Sequence, residues 1–220
     1  MATILTDIEV RVLGSLIEKQ VTTPEYYPLT LNALTLACNQ KNNRNPVTSF
    51  DETTVAQAVE SLREKNLAYV FYGSTSRVPK YKHVLPEVMH LNQPELALMC
   101  VLMLRGPQTT GELATRALRL HEFSGLEEVE ATLNSLISRE PDPLVTRLPR
   151  QPGQKEARFA HLLSGEVFSE TVSQEDRPLV ISSRSSQFDR VSKLESEVET
   201  LKTQVEKLRE QFEGFKRQFE

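Results

Sequence analysis

Residues 51–83 constrain the fold more tightly than any other stretch. They read as one helix followed by one β-hairpin. Asp51 stands as N-cap, and Val55, Val59 and Leu62 recur at helical spacing. Residues 69–72 and 78–84 carry β-branched and aromatic side chains. Between them Gly73 and the serines that follow supply turn chemistry. A helix packed on a two-stranded wing is the second half of a winged helix-turn-helix. The same order returns about 75 residues later. Ser124-x-x-Glu127 reads as a capping box, followed by Val129, Leu133 and Leu136. Residues 144–148 and 157–162 then flank a turn at Pro152-Gly153. Val129 to Leu136 overlays Val55 to Leu62 at a constant offset, and Ser135 falls on Ser61. The expected fold is mainly α (α+β class), with two tandem winged helix-turn-helix domains at 1–88 and 89–165.

The helices before each repeat are legible from their caps. Thr6-x-x-Glu9 opens a helix to about Lys19, with Ile8, Val12, Leu13, Leu16 and Ile17 on one face. Thr23-Pro24-Glu25 is a further start signal, and residues 29–38 resume a helix through Leu31, Leu34, Leu36 and Cys38. The connection 39–46 holds four asparagines and two cations. It is longer than the three or four residues usual in a helix-turn-helix. Two roles stand open for it: structural caps and turns, or amide and cationic donors facing phosphates. Asn92 caps a helix to Arg105 that is apolar over most of its surface, which predicts burial on several sides between the two domains. Thr109-x-x-Glu112 caps the next.

Residues 166–187 are rich in Ser, Thr, Glu and Gln and read as a linker. From 188 to 220 the pattern becomes heptad. Val191, Leu194, Val198, Leu201, Val205, Leu208, Phe212 and Phe215 occupy successive a and d positions. Val at a with Leu at d favours a parallel two-stranded coil. The expectation is a homodimer through this coiled coil. Pairing with a partner protein's helix, or folding back onto the chain's own domains, remains the alternative.

Composition narrows the function classes. No apolar run approaches the roughly 20 residues of a membrane span, and residues 1–7 have no secretory pattern. Cys38 and Cys100 each sit in an apolar helical pattern, and no Cys or His pair has zinc-finger spacing. A cytoplasmic protein with no metal, no cofactor and no evident small-molecule ligand is expected. His83, His90, His121 and His161 are scattered, and no nucleophile pairs with a base at motif spacing, so no catalytic residue and no enzyme is expected. Net charge is −4 overall. The acid is concentrated beyond residue 165, which leaves the preceding part able to carry local basic patches.

Several stretches together resemble one known family. They are Glu18-Lys-Gln-Val-Thr-Thr-Pro-Glu25, Tyr27-Pro-Leu-Thr-Leu-Asn32, Ala37-Cys-Asn-Gln-Lys41, Arg105-Gly-Pro-Gln-Thr109 with Gly111-Glu-Leu113, and Pro152-Gly153. They are similar to the YceH-like family of bacterial proteins, over nearly the whole chain. The resemblance implies tandem winged helices and often a coiled-coil tail. It implies no activity and no site residues.

Two functions follow as expectations. The first is a DNA-binding, transcription-regulator-like protein. Lys41, Arg44, Gln57, Arg77, Lys80, Lys82, Arg150, Lys155 and Arg158 would meet duplex DNA, with the wings on phosphates. The second is a tandem winged-helix scaffold for protein–protein interaction without DNA binding. Residues 51–65 and 126–139 each carry net charge −2, which is unfavourable beside phosphates and favours the second reading.

Overall fold

The computed structural model describes residues 4–72, 78–150, 154 and 156–165. Within them helix and strand are mixed, an α+β arrangement, in two successive runs. The first run is α1 (Asp7–Thr22), a 3-10 turn (Pro24–Tyr26), β1 (Leu29–Thr30), α2 (Leu31–Cys38), α3 (Glu52–Glu64), β2 (Ala68–Phe71) and β3 (Lys80–His83). The short α4 (Leu85–Met89) crosses the boundary expected at 88/89. The second run is α5 (Gln93–Arg105), α6 (Thr110–Ala117), α7 (Leu126–Ile137), β4 (Val145–Arg147) and β5 (Phe159–His161). The expected linker 166–187 and coiled coil 188–220 lie outside the described residues, as do the turns expected at Gly73 and the serines after it and at Pro152-Gly153.

Three helices start as their sequence indicates. Thr6 with Glu9, Asn92 with Glu95, and Thr109 with Glu112 each form a reciprocal capping box. Asp51 accepts from the Thr54 amide at the head of α3. The box expected at Ser124 does not form. Gly125 is the N-cap of α7, and the Ser124 amide and hydroxyl both donate to Glu128 instead. Helix α1 runs one turn past Lys19. Residues Leu29 and Thr30 are not helical, because they pair with Tyr81 and Lys80 as an edge strand; Thr30 then caps α2. Leu36 points outward rather than into the core.

The first sheet has the order β1-β3-β2, all antiparallel, with Tyr69 opposite Lys82 and Phe71 opposite Lys80. The second pairs β4 with β5, Val145 opposite His161. Gln108 exchanges backbone hydrogen bonds with Phe159 and so takes the edge position that β1 holds in the first run.

A single apolar core extends from Leu5 to Leu163. Helix α1 was expected to bury one face. It buries every side chain from Glu9 to Glu18, because α2 and α3 cover one side and α5 the other. The two helices meet at Gly14. A Cβ built there would lie 3.0 Å from Leu104 Cδ2 and 3.2 Å from Met103 Cβ. Helix α5 is correspondingly buried from Glu95 to Leu104.

The two runs also share one polar lock, which gives the Ser61–Ser135 coincidence a physical reason. In each run the capping-box glutamate is buried and meets the serine of the third helix. Glu9 bonds Ser61 and Lys65, with Lys65 Nζ 2.5 Å from Oε1. Ser135 Oγ donates to Glu95 Oε1 at 2.5 Å. The cation one turn on then closes each lock on a backbone carbonyl: Lys65 on Ile4, Arg139 on Met89. Burial tends to raise the Glu9 carboxyl, yet its bonds to Lys65, Ser61 and Thr6 bring it down to about 2.

Candidate nucleic-acid interface

The β2–β3 hairpin presents two unlike faces, because successive strand residues point to opposite sides. Leu29, Val70, Tyr81 and His83 lie on the inner side, where Leu29 and His83 are buried. Tyr69, Phe71, Lys80 and Lys82 form the outer side. Tyr69 and Phe71 remain 39% and 44% exposed, large values for aromatic residues within strands. Lys82 Nζ stands 5.7 Å from the Tyr69 ring centroid, a cation–π distance. Tyr72, just past β2, is also exposed. The outer face thus alternates rings that can stack with ammonium groups that can meet phosphates. The lysines were legible in sequence. The exposed aromatics beside them were missed, although the alternation of residues 69–72 carried the signal.

The structure corrects one expected phosphate contact. Arg44 does not face solvent; its side chain and that of Glu18 are both fully buried. Arg44 Nη2 and Nη1 lie 2.6 and 3.1 Å from the two Glu18 oxygens, and Nε and Nη2 also donate to the Ala37 carbonyl. A guanidinium so paired costs too much to pull out of the interior. Burial alone would raise the Glu18 carboxyl; Arg44, with Arg119 beside it, holds it below the usual range. The rest of the asparagine-rich connection is equally structural. Asn39 bonds Phe50 through both amide atoms, Asn43 takes φ 61°, and the Asn45 amide donates to the Leu104 carbonyl of α5. Only Lys41 of its two cations is exposed.

The remaining expected residues divide. Gln57 is exposed on α3. The α3 carboxylates are largely engaged: Asp51 in the cap, Glu52 accepting from Asn32, and Glu60 paired with Arg63. Arg150 is exposed and, with Arg147, borders an open cleft of about 470 Å³ between α6, α7 and the second hairpin. Glu130, Glu156 and Asn134 also line it, so its charge is mixed. Arg158 pairs with Glu112 at 3.2 Å and donates to the Pro107 carbonyl. Arg77, Lys155 and the residues expected to dimerise, Val191 to Phe215, lie outside the described residues.

Among the described residues no group of three His, Cys, Asp or Glu is placed to hold a metal ion. Cys38 and Cys100 are buried and reduced. Burial pushes the Cys38 thiol up to about 11 and the Cys100 thiol higher still, so neither is a ready nucleophile. No described helix is long and apolar enough to cross a membrane. His121 meets Glu128 across the α6–α7 turn at 3.6 Å.

Residues 5–154 match the family described as "Protein of unknown function, DUF480". The chain belongs to this family, which the YceH-like label fits. Among its relatives, a UPF0502 protein of Pelobacter propionicus is 53% identical over 202 residues, covering 90% of each chain. A UPF0502 protein of Opitutus terrae is 56% identical over 164 residues, 74% of this chain and 71% of that one. A UPF0502 protein of Aliivibrio fischeri is 47% identical over 199 residues, 89% of this chain and 90% of that one.

Proposed function

We propose that the chain binds duplex DNA through two tandem winged helix-turn-helix units, dimerised by a C-terminal coiled coil. The observation that carries this reading is the outer face of the first hairpin, where Tyr69, Phe71, Lys80 and Lys82 stand together. An aromatic row interleaved with cations supplies stacking surface and phosphate neutralisation in one strip. Its position after α3 is where a wing would flank a helix lying in the major groove, with Gln57 able to reach base edges. The engaged carboxylates of α3 soften the charge objection, since Asp51 serves the cap, Glu60 an ion pair and Glu52 a hydrogen bond from Asn32.

The test is duplex binding by the full chain against salt, beside Lys80→Ala with Lys82→Ala. Each lost phosphate contact lowers the salt slope by about 1, so the double variant is expected to lower it by about 2. An unchanged slope and affinity would remove the hairpin from the interface.

A second reading rests on Glu64, Glu127 and Glu130, which stay exposed on α3 and α7. They suit a basic protein partner, with the same units acting as a scaffold. Absence of duplex binding at low salt would favour it, and capture by the full chain of a basic protein, lost on Glu127→Gln with Glu130→Gln, would support it.

A further inference from the structure

Around the end of α6 the chain carries more positive charge than its carboxylates can balance. Two glutamates there serve four arginines. Glu18 is shared by the buried Arg44 and by the half-exposed Arg119. Glu112 is shared by Arg116, at 3.3 Å, and Arg158, at 3.2 Å. Two more cations have no carboxylate partner among the described residues. Arg105, in the last turn of α5, donates to the neutral amide oxygen of Asn43. Lys19, beside Glu18 on α1, has no carboxylate at ion-pair distance among the described residues either, although the Glu18 charge favours it against those of Arg44 and Arg119. These charges are close enough to act on one another. Burial comes first among the causes that lower the Arg105 guanidinium, the charges of Arg116, Arg119 and Arg44 lower it further, and Glu18 opposes them only in part.

Folding gains nothing from crowding like charges. A surplus of partly exposed guanidinium groups, each already oriented by a protein partner, is a feature that an anion would neutralise. The cations come from several elements, Arg158 beside β5, Arg116 on α6 and Arg119 after it, Arg105 at the end of α5 and Lys19 on α1, and Arg105 lies within reach of the charges of both Arg116 and Arg119. Cations spread over several elements suit an extended polyanion such as a phosphate backbone, and arginine suits phosphate oxygens geometrically.

We infer that Lys19, Arg105, Arg116 and Arg119 form a second phosphate-binding surface, which takes the backbone of a nucleic acid. The inference rests on the nucleic-acid reading above and adds a site separate from the first hairpin. Arg44 has no part in contact; it anchors Glu18, which in turn orients Arg119.

The experiment compares the full chain with Arg105→Gln/Arg116→Gln, two positions outside the buried Glu18–Arg44 pair. The probe is a duplex DNA of arbitrary sequence, followed by fluorescence anisotropy from low to physiological salt. The double variant is expected to lower the salt slope by about 2 and to weaken binding at low salt, with a melting temperature close to that of the unmodified chain. Arg105→Lys/Arg116→Lys keeps the charge and is expected to restore the slope. A slope unchanged in the Gln variant, while Lys80→Ala/Lys82→Ala lowers it, would overturn this surface and leave the hairpin reading intact. A Lys variant as weak as the Gln variant would overturn its basis in charge. No duplex binding by the unmodified chain would overturn both.

Discussion

Glu18 and His83 are the residues on which single-site effects should be largest. Glu18 is a buried carboxylate holding a buried guanidinium, so Glu18→Gln would strand Arg44 in the interior. Breaking such a pair costs about 3–5 kcal/mol, measurable by denaturant unfolding; a loss below about 1 kcal/mol would mean that Arg44 finds water. His83 is buried with no hydrogen-bond partner on either ring nitrogen. Burial first, then the charge of Lys82, lowers it to about 4. His161, its counterpart at the foot of the second hairpin, is lowered to about 4 by burial, against a small opposing pull from Asp7. The unfolded chain takes up protons near pH 6.5 and the folded chain does not. Stability is therefore level above about pH 6.5 and falls as pH drops towards 4. Glu9 adds its own loss only below about pH 4.5, since its carboxyl is lowered in the folded state. His83→Leu should flatten the decline between pH 6.5 and 4 in a series of thermal melts. An unaltered decline would show that His83 is not its source.

At the scale of elements, the tight crossing of α1 on α5 depends on Gly14. Gly14→Val places branched carbons where Leu104 and Met103 already stand, and overpacking of this kind costs about 1–3 kcal/mol. A melting temperature that held or rose would show that α5 yields at the crossing. Most elements were legible in sequence because their signals are local. Asp51, Asn92, Thr6 with Glu9 and Thr109 with Glu112 all act within one turn. Ser124 was misread for a physical reason: its hydroxyl is a donor to Glu128, so it cannot be recognised from spacing to Glu127. Long-range pairing was not legible. Nothing near Arg44 in sequence indicates that Glu18, 26 residues earlier, holds it in the core. The burial of α1 on every side was hidden similarly, since its cover, α5, comes from the second run. For the candidate interface, the cations of the first hairpin could be read directly. The surplus at the end of α6 needed the fold, because its members come from α1, α5, α6 and the residues after it.

For the whole molecule, the proposed dimer rests on the heptad positions from Val191 to Phe215. Proline inside a helix costs about 3 kcal/mol, so Leu201→Pro should halve the mass seen by light scattering while the thermal melt of residues 5–163 is preserved. A mass unaffected by the change would exclude the heptads as the dimer contact. The net charge of −4 is borne mainly beyond residue 165, away in sequence from both proposed phosphate-binding surfaces. Binding driven by those surfaces must therefore be electrostatic and local, and counterion release gives it a distinct signature. The most direct measurement is the affinity of the full chain for duplex DNA across a salt series. The account predicts measurable binding at low salt and a linear, steep fall of log K with log salt. Binding that ignores salt, or none at low salt, would contradict it.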